Sequence, residues 1–443
     1  MLTRERNETL SCIGPGTRMG NLMRRYWHPV AAKAELDTNP IGAVKLLGES
    51  LVLYRDRRGH LGLLAEACAH RGMSLARGIV EDEGLRCAYH RWLYNSEGQC
   101  LEQPMEPADS TPLDRFGTTA YPVQEVGGLI FAYLGPEPRP LLPRYNVLVW
   151  DDAVRETNGT VIACNWLQVM ENLLDPMHVE CLHGRYFAYV LERKGGEQLQ
   201  EFMALYYPRP MKKIGFDLFE HGIIERHMVK SEREFSWETG TPSFFPATSL
   251  LGSPGRGGSV IFVVPIDDTH TWFLLQMAHR TGAPVTQESI PFFDVPGLDP
   301  TGRFITDTAN GQDHMAVVTQ GSIARRDVER LGMSDVGIVL YRELLVEQME
   351  RVERGEDPMN VRRDPAENEI IDPTGIERAV EPPDTTGWSR QRKRWAARHK
   401  PGPQAYREPT RAAHRAVTRE RVLHGPLTAY PPALREHREV MIR

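Results

Sequence analysis

The chain has 443 residues, 41% hydrophobic and 25% charged, with a formal net charge of −6. This is ordinary globular usage, long enough for two domains and an appendage, and it gives no reason to expect nucleic-acid binding. No apolar run approaches a membrane span, and Met1-Leu2-Thr3-Arg4-Glu5-Arg6 lacks the apolar stretch of a secretory signal, so a cytoplasmic protein with no membrane partner is expected.

Residues 1–24 are expected to form a helical N-terminal segment. Within it, Gly14-Pro15-Gly16-x3-Gly20 imitates a nucleotide loop but has no preceding strand and carries a proline inside the turn, so it is discounted. From about residue 43 to 135 short apolar runs alternate with turn signals: Val44–Leu47, Leu51–Tyr54, Leu61–Leu64, Trp92–Tyr94 and Leu129–Leu134. Such spacing predicts an all-β domain over residues 25–140, a small sandwich or barrel whose hairpin tips present two Cys/His pairs.

Cys68-Ala69-His70 and, after sixteen intervening residues, Cys87-Ala88-Tyr89-His90 supply two thiolates and two imidazoles. That set suits a 2Fe–2S centre with cysteines on one iron and histidines on the other, which is easier to reduce than an all-cysteine cluster. A structural Cys2His2 zinc site competes, because ligand softness and geometry overlap. The other cysteines, Cys12, Cys100, Cys164 and Cys181, show no paired spacing and read as reduced packing residues.

Pro136, Pro138, Pro140 and Pro143 mark the exit into a second domain, expected over residues 141–371. Its most telling segment runs from Asn165 to His183 and reads Glu171-x3-Asp175-x2-His178-x4-His183. On one continuous helix Glu171, Asp175 and His178 share a face. His183 would lie about 140° from His178 on that helix, so the segment must bend or bulge to aim both rings at one metal, with Pro176 a natural cause. Two histidines and a carboxylate form the facial triad of non-haem Fe(II) oxygenases. With this motif present, a zinc-only reading of the Cys/His quartet recedes. The carboxylate is less explicit. Asp313 is one candidate among four, beside Asp307, Asp327 and Asp335.

The rest of the second domain mixes strands, Ser259–Pro265 and Trp272–Met277 among them, with helices such as Val339–Glu353, whose apolar residues recur at helical spacing. Residues 372–443 change character. Positions 389–443 carry ten net positive charges, leaving −16 on residues 1–388. This proline-interrupted extension is expected to lie across the acidic body of its own or a neighbouring subunit rather than to act as a nucleic-acid arm.

Taken together, the two metal motifs resemble those of the large oxygenase subunit of Rieske non-haem iron oxygenases, in the phthalate-dioxygenase-like group. The resemblance covers roughly residues 1–370. It implies an α+β architecture: an all-β Rieske domain plus an α+β catalytic domain whose antiparallel sheet carries a mononuclear iron site. It implies that Cys68, His70, Cys87 and His90 hold the 2Fe–2S cluster and that His178, His183 and Asp313 hold the iron. Asp175 matches the family's bridging aspartate, linking a cluster histidine of one subunit, His90 in this sequence, to His178 of the next. Phrases such as Arg24-Arg25-Tyr26-Trp27 and Leu182-His183-Gly184-Arg185-Tyr186 are most like those of the family's O-demethylases. The sequence departs from the family at Ala69, where proline is common, and at Arg91, where glycine is common, so backbone strain beside His90 or altered docking of a donor protein is expected there.

The implied reaction is O2-dependent O-demethylation of a lignin-derived methoxylated aromatic acid with release of formaldehyde. The alternative is ring dihydroxylation of a phthalate-like carboxylate. No dinucleotide or flavin fingerprint is present, so a ferredoxin, a flavin-dependent NAD(P)H reductase, or both must deliver electrons. The bridge implies a homotrimer or stacked hexamer. For a carboxylated substrate, Arg209, Lys212, Lys213, Arg226 and Arg280 are candidate cations, and Trp237, Phe244, Phe245 and Trp272 candidate aryl platforms.

Overall fold

A computed structural model describes residues 2–107, 113–196, 211–230, 235–253 and 257–373. The basic extension from residue 374 onward and Arg209 lie outside the described residues, as does the Lys212 side chain.

The chain begins with two helices, Arg4–Ser11 and Arg18–Met23, each started by a threonine whose hydroxyl accepts a backbone N–H in the first turn: Thr3 from Arg6 and Thr17 from Gly20. An all-β region follows, built from three antiparallel sheets. Its central sheet orders Ile41–Leu46, Glu49–Arg55, Leu61–Ala65 and Ala120–Tyr121. Leu51, Val52, Leu53 and Tyr54 are all buried, although a sheet with one wet face would show alternation. The reason is that the strand's two faces feed two cores. Leu51 and Leu53 join the large core, while Val52 and Tyr54 join a smaller one with Leu75, Leu85, Trp92, Cys68 and Cys87. The Cys68 loop leaves the third strand of this sheet, while the Cys87 loop joins Gly84–Arg86 to Leu93–Tyr94 in a neighbouring sheet whose side chains share the smaller core.

The second region is an eight-stranded sheet. In spatial order its strands are Met211–Phe219, Gly222–Lys230, Phe235–Phe244, Thr248–Ser253, Gly257–Asp267, His270–Arg280, Ala153–Ile162 and Phe292–Asp294. Every pairing is antiparallel except the last, where Thr157–Gly159 runs parallel to Phe292–Asp294. The sheet is therefore mixed, not purely antiparallel as expected: the chain makes a crossover before its final short edge strand. Helices Trp166–Leu173, Ala309–Val318 and Val336–Glu353 accompany it, and Gly337 at the start of the last admits the ring of Phe216 from the sheet.

The two regions share one core. Phe131 meets Phe262 edge-on at 5.6 Å between centroids. A hairpin tip also crosses between them. Leu47 and Gly48 both have positive φ (50° and 80°), the signature of a tight two-residue turn, and their N–H groups donate to Pro265 and Ile266 at 3.0 and 2.9 Å. We propose residues 24, 140 and 371 as domain limits on this body, with the core continuous across the first two.

Candidate metal centres

The Cys68 and Cys87 loops have the same build. Each cysteine N–H donates to the carbonyl five residues on, Met73 and Trp92 respectively. Each cysteine carbonyl accepts from the N–H four residues on, Gly72 at 2.8 Å and Arg91 at 3.0 Å. Those fourth residues are both left-handed, with φ of 72° at Gly72 and 66° at Arg91. Glycine adopts this conformation freely, whereas arginine is strained there. The strain expected beside His90 is thus present. It is held in place by Arg86, 5% exposed, which donates to the Arg91 carbonyl at 2.7 Å while paired with Glu81 and Glu102.

The loops bring their side chains together. Cys68 and Cys87 are buried, and the His70 and His90 rings lie 4.5 Å apart. His70 stacks on Trp92 with planes 3° apart and centroids 4.6 Å apart, and its Nδ1 is buried without a hydrogen-bond partner. A buried imidazole nitrogen left bare is costly unless it ligates something. The Tyr94 hydroxyl lies 3.3 Å from Cys68 Sγ. Two buried sulfurs, two adjacent imidazoles and an orphaned ring nitrogen fit a Rieske cluster.

His178, His183 and Asp313 also converge, with one ligand atom from each lying within 4.8 Å of the others. His183 Nε2 is 3.1 Å and His178 Nε2 3.6 Å from Asp313 Oδ1. The required bulge is a π-helix over Val179–Tyr186, following the short turn Pro176–His178. By widening the turn it brings a ring five residues on back toward the first.

Both Nδ1 atoms are occupied from behind. His178 Nδ1 bonds the Asp175 main-chain carbonyl, and His183 Nδ1 bonds Gln312 Oε1 at 2.9 Å. Gln312 is fully buried and donates its amide to the Thr306 carbonyl, which fixes its oxygen toward His183. Such backing leaves both Nε2 lone pairs free for a metal. Asn172 adds a hydrogen bond to Asp313 Oδ1 at 3.3 Å. The sequence pattern assigns no role to Gln312 or Asn172, although each adjoins a motif residue.

The competing aspartates are engaged elsewhere: Asp307 with Lys194, Asp327 with Arg4 and Arg325, and Asp335 as an acceptor for Gly332 N–H. Glu171 does not share a face with Asp175 and His178. Its helix ends at Leu173, and Asp175 caps the next turn by accepting from Met177 N–H at 2.8 Å. Burial would raise the Glu171 carboxyl, but Arg326 and Arg342 outweigh it and hold the group below its ordinary value.

Two cationic candidates are already paired, buried Arg226 with Asp217, and Arg280 with Asp152. Lys213 is exposed. Phe244 and Phe245 are core residues, Trp237 is half-buried, and Trp272 packs against Phe292 at 6.4 Å. Cys12, Cys100, Cys164 and Cys181 are all free thiols.

A family model described as the Rieske [2Fe-2S] domain matches residues 26–122, and one described as the vanillate O-demethylase oxygenase C-terminal domain matches residues 162–320. The chain belongs to the Rieske non-haem iron oxygenases, as a large oxygenase subunit of the phthalate-dioxygenase-like group. Its cofactors are accordingly a Rieske cluster and a mononuclear non-haem iron. The chain is 37% identical, over 84% of its length and 86% of the relative's, to the 5,5′-dehydrodivanillate O-demethylase oxygenase subunit of Sphingobium sp.. It is 31% identical, over 80% of its length and 88% of the relative's, to the phthalate 4,5-dioxygenase oxygenase subunit of Pseudomonas putida. Its fold matches the oxygenase in an oxygenase–ferredoxin complex of carbazole 1,9a-dioxygenase, with TM-score 0.56 and 20% identity, covering 79% of this chain and 96% of that one. Its relatives are oxygenase components of multicomponent systems that depend on separate electron-transfer proteins. Among the described residues no helix is long and apolar enough to cross a membrane.

Proposed function

We propose that this chain is the terminal oxygenase of a multicomponent monooxygenase that O-demethylates a lignin-derived methoxylated aromatic acid of the 5,5′-dehydrodivanillate type. The supporting observation is the 37% identity to such a subunit over 84% of the chain. In this reading Cys68, His70, Cys87 and His90 would hold the cluster, and His178, His183 and Asp313 the iron. When bound, the iron supplies oxygen activation with electrons delivered through the cluster.

The protein's own part is orientation. Gln312 and the Asp175 carbonyl hold the two imidazoles with Nε2 forward. One oxygen of the Asp175 carboxylate takes the Met177 N–H, and the other has no partner among the described residues. In this reading that second oxygen would accept from the partner subunit's His90, coupling the two centres across a trimer or stacked hexamer. Electrons would come from a ferredoxin, a flavin-dependent NAD(P)H reductase, or both, in the cytoplasm. Hydroxylation of a methoxy carbon gives a hemiacetal that collapses to a phenol and formaldehyde. Dihydroxylation of a phthalate-like ring is the second reading, favoured by the likeness to the phthalate dioxygenase subunit. A panel of methoxylated and unmethoxylated aromatic acids with a surrogate reductase, scored for formaldehyde against dihydrodiol, decides between them. Dihydrodiol without formaldehyde would overturn the demethylase reading.

A further inference from the structure

Glu171 sits inside the iron motif yet faces away from the triad, into a buried knot of charge. Arg326, 1% exposed, forks onto its carboxylate with contacts of 2.8 to 3.1 Å. Arg342, 5% exposed, donates to the same carboxylate at 2.7 Å and pairs with Glu329 through its other nitrogens. Two carboxylates and two guanidiniums balance. The outer nitrogen of Arg326 is taken by the N-terminal helix, through Asn7 Oδ1 at 3.1 Å and Ser11 Oγ at 3.4 Å, and its carbonyl accepts from Leu2 N–H at 2.9 Å.

The knot joins the two elements that carry the triad. Glu171 is on the helix leading into His178, and Arg326 follows the helix that carries Asp313. One turn before Glu171, buried Gln168 donates to the Val317 and Gly321 carbonyls, both at 3.0 Å, and accepts from Ala324 N–H at 2.7 Å. The residue after Glu171, Asn172, is the one that reaches Asp313. Rotating this helix about its axis would pull Asn172 off Asp313 and shift the following turn, which carries both His178 and His183, relative to Asp313.

We propose that Glu171, Arg326 and Arg342 are positioning residues for the mononuclear metal site, and that the N-terminal helix belongs to that site's scaffold by holding Arg326. The inference rests on His178, His183 and Asp313 being the metal-holding set. A buried ion pair adds little net stability over apolar replacements, but it admits one geometry, because a bidentate guanidinium–carboxylate pair is directional. Here that geometry sets the mutual pose of two helices.

The test uses full-length protein with its cluster intact and its mononuclear iron removed, titrated with Co2+ by calorimetry. The wild type should bind one equivalent and His178→Ala none; failure of this arm would refute the ligand set rather than the knot. With that arm in place, Glu171→Gln should weaken Co2+ binding by about 10- to 100-fold, the range seen when groups behind a ligand are removed, with the cluster's visible spectrum unchanged. Arg326→Lys keeps the charge but loses the fork, and should fall between the wild type and Glu171→Gln. Glu171→Gln strands two guanidiniums and can unfold the chain, so the deciding variant is Glu171→Leu with Arg326→Met, which leaves Arg342 paired with Glu329. Stability alone does not alter the affinity of molecules that remain folded. Wild-type Co2+ affinity in the folded double variant would overturn the proposal; weakened affinity at an unchanged melting temperature supports it.

Discussion

At the cluster, four candidate ligands come from two loops within residues 68–90, each closed by its own backbone hydrogen bonds; the candidate iron ligands are drawn from positions as distant as 178 and 313. The first arrangement needs little beyond its own turns and the smaller core behind them. The second depends on helix pose, and that pose depends on groups that never touch the metal: Gln312, Asn172 and the charge knot behind Glu171. Local construction should tolerate distant change, and long-range construction should not.

The largest effect expected is from His178→Ala. It should remove mononuclear iron and all measurable turnover while the cluster's absorption and sulfide content persist. Loss of both centres together, by metal analysis and visible spectroscopy, would mean that the two constructions are not independent.

Asp175 is next, and the substitution must be chosen with its cap in mind. Its carboxylate caps the turn carrying His178, so Asp175→Ala would lose about 1 kcal/mol of local stability along with any bridge. Asp175→Asn keeps a capping oxygen and the carbonyl behind His178. It should retain both metals and lose nearly all turnover, and normal single-turnover rates after chemical reduction of the cluster would remove the bridge.

The two regions should also part in their response to pH. Burial lowers His28, on the first strand of the cluster region, to about 4, against a hydrogen bond to Met23 O that works the other way. The unfolded chain binds the proton near pH 6.5 and the folded chain does not. Stability from His28 is therefore full above pH 6.5 and is lost as pH falls toward 4. Burial raises Glu225, in the catalytic sheet, to about 7, with Thr241 N–H opposing and the charge of Asp175 adding to the rise. Here the folded state holds a proton that the unfolded state has released, so stability is full below about pH 4.5 and is lost as pH rises through 7. Each slope amounts to about 3 kcal/mol at most. Glu225→Gln should flatten the loss of melting temperature between pH 5 and 7 while leaving the acid limb; an unchanged profile would exclude Glu225 as its source.

Gln312→Ala leaves His183 Nδ1 without its acceptor. Affinity for Fe(II) or Co2+ should fall about tenfold, with no change at the cluster. Equal affinity would show that His183 is oriented by packing alone.

The same contrast governs what the sequence makes legible. The cluster quartet is readable because ligand spacing within two short loops is itself the structure, and the five-residue step from His178 to His183 foretells a bulge, found as a π-helix. In the sequence Asp313 is one aspartate among four, because only the folded structure shows Asp307 and Asp327 taken by the distant Lys194 and Arg4 and Asp335 used in a local cap. Counting along one helix puts Glu171 on the iron face, but the chain breaks at Leu174 and Asp175, which resets the count. The parallel edge strand Phe292–Asp294 carries no pattern that sets its direction, since three residues show no usable period.

The smallest effect tests the cluster side on its own terms. The two cysteine loops are superposable in hydrogen bonding, yet one has glycine and the other arginine at the left-handed position. A side chain there costs about 1 kcal/mol, and glycine recovers most of it, less the added freedom of the unfolded chain. Arg91→Gly should therefore change cluster-region stability by no more than about 1 kcal/mol, in the stabilising direction, with Co2+ affinity at the triad untouched. If the arginine serves only the fold, the rate of electron delivery from a donor protein will also stay the same. A stabilised variant with slower cluster reduction would show that strain is retained beside His90 because the exposed guanidinium meets the donor. A destabilised one would mean that the Arg86–Arg91 contact, and not the local dihedral, sets the energy of this loop.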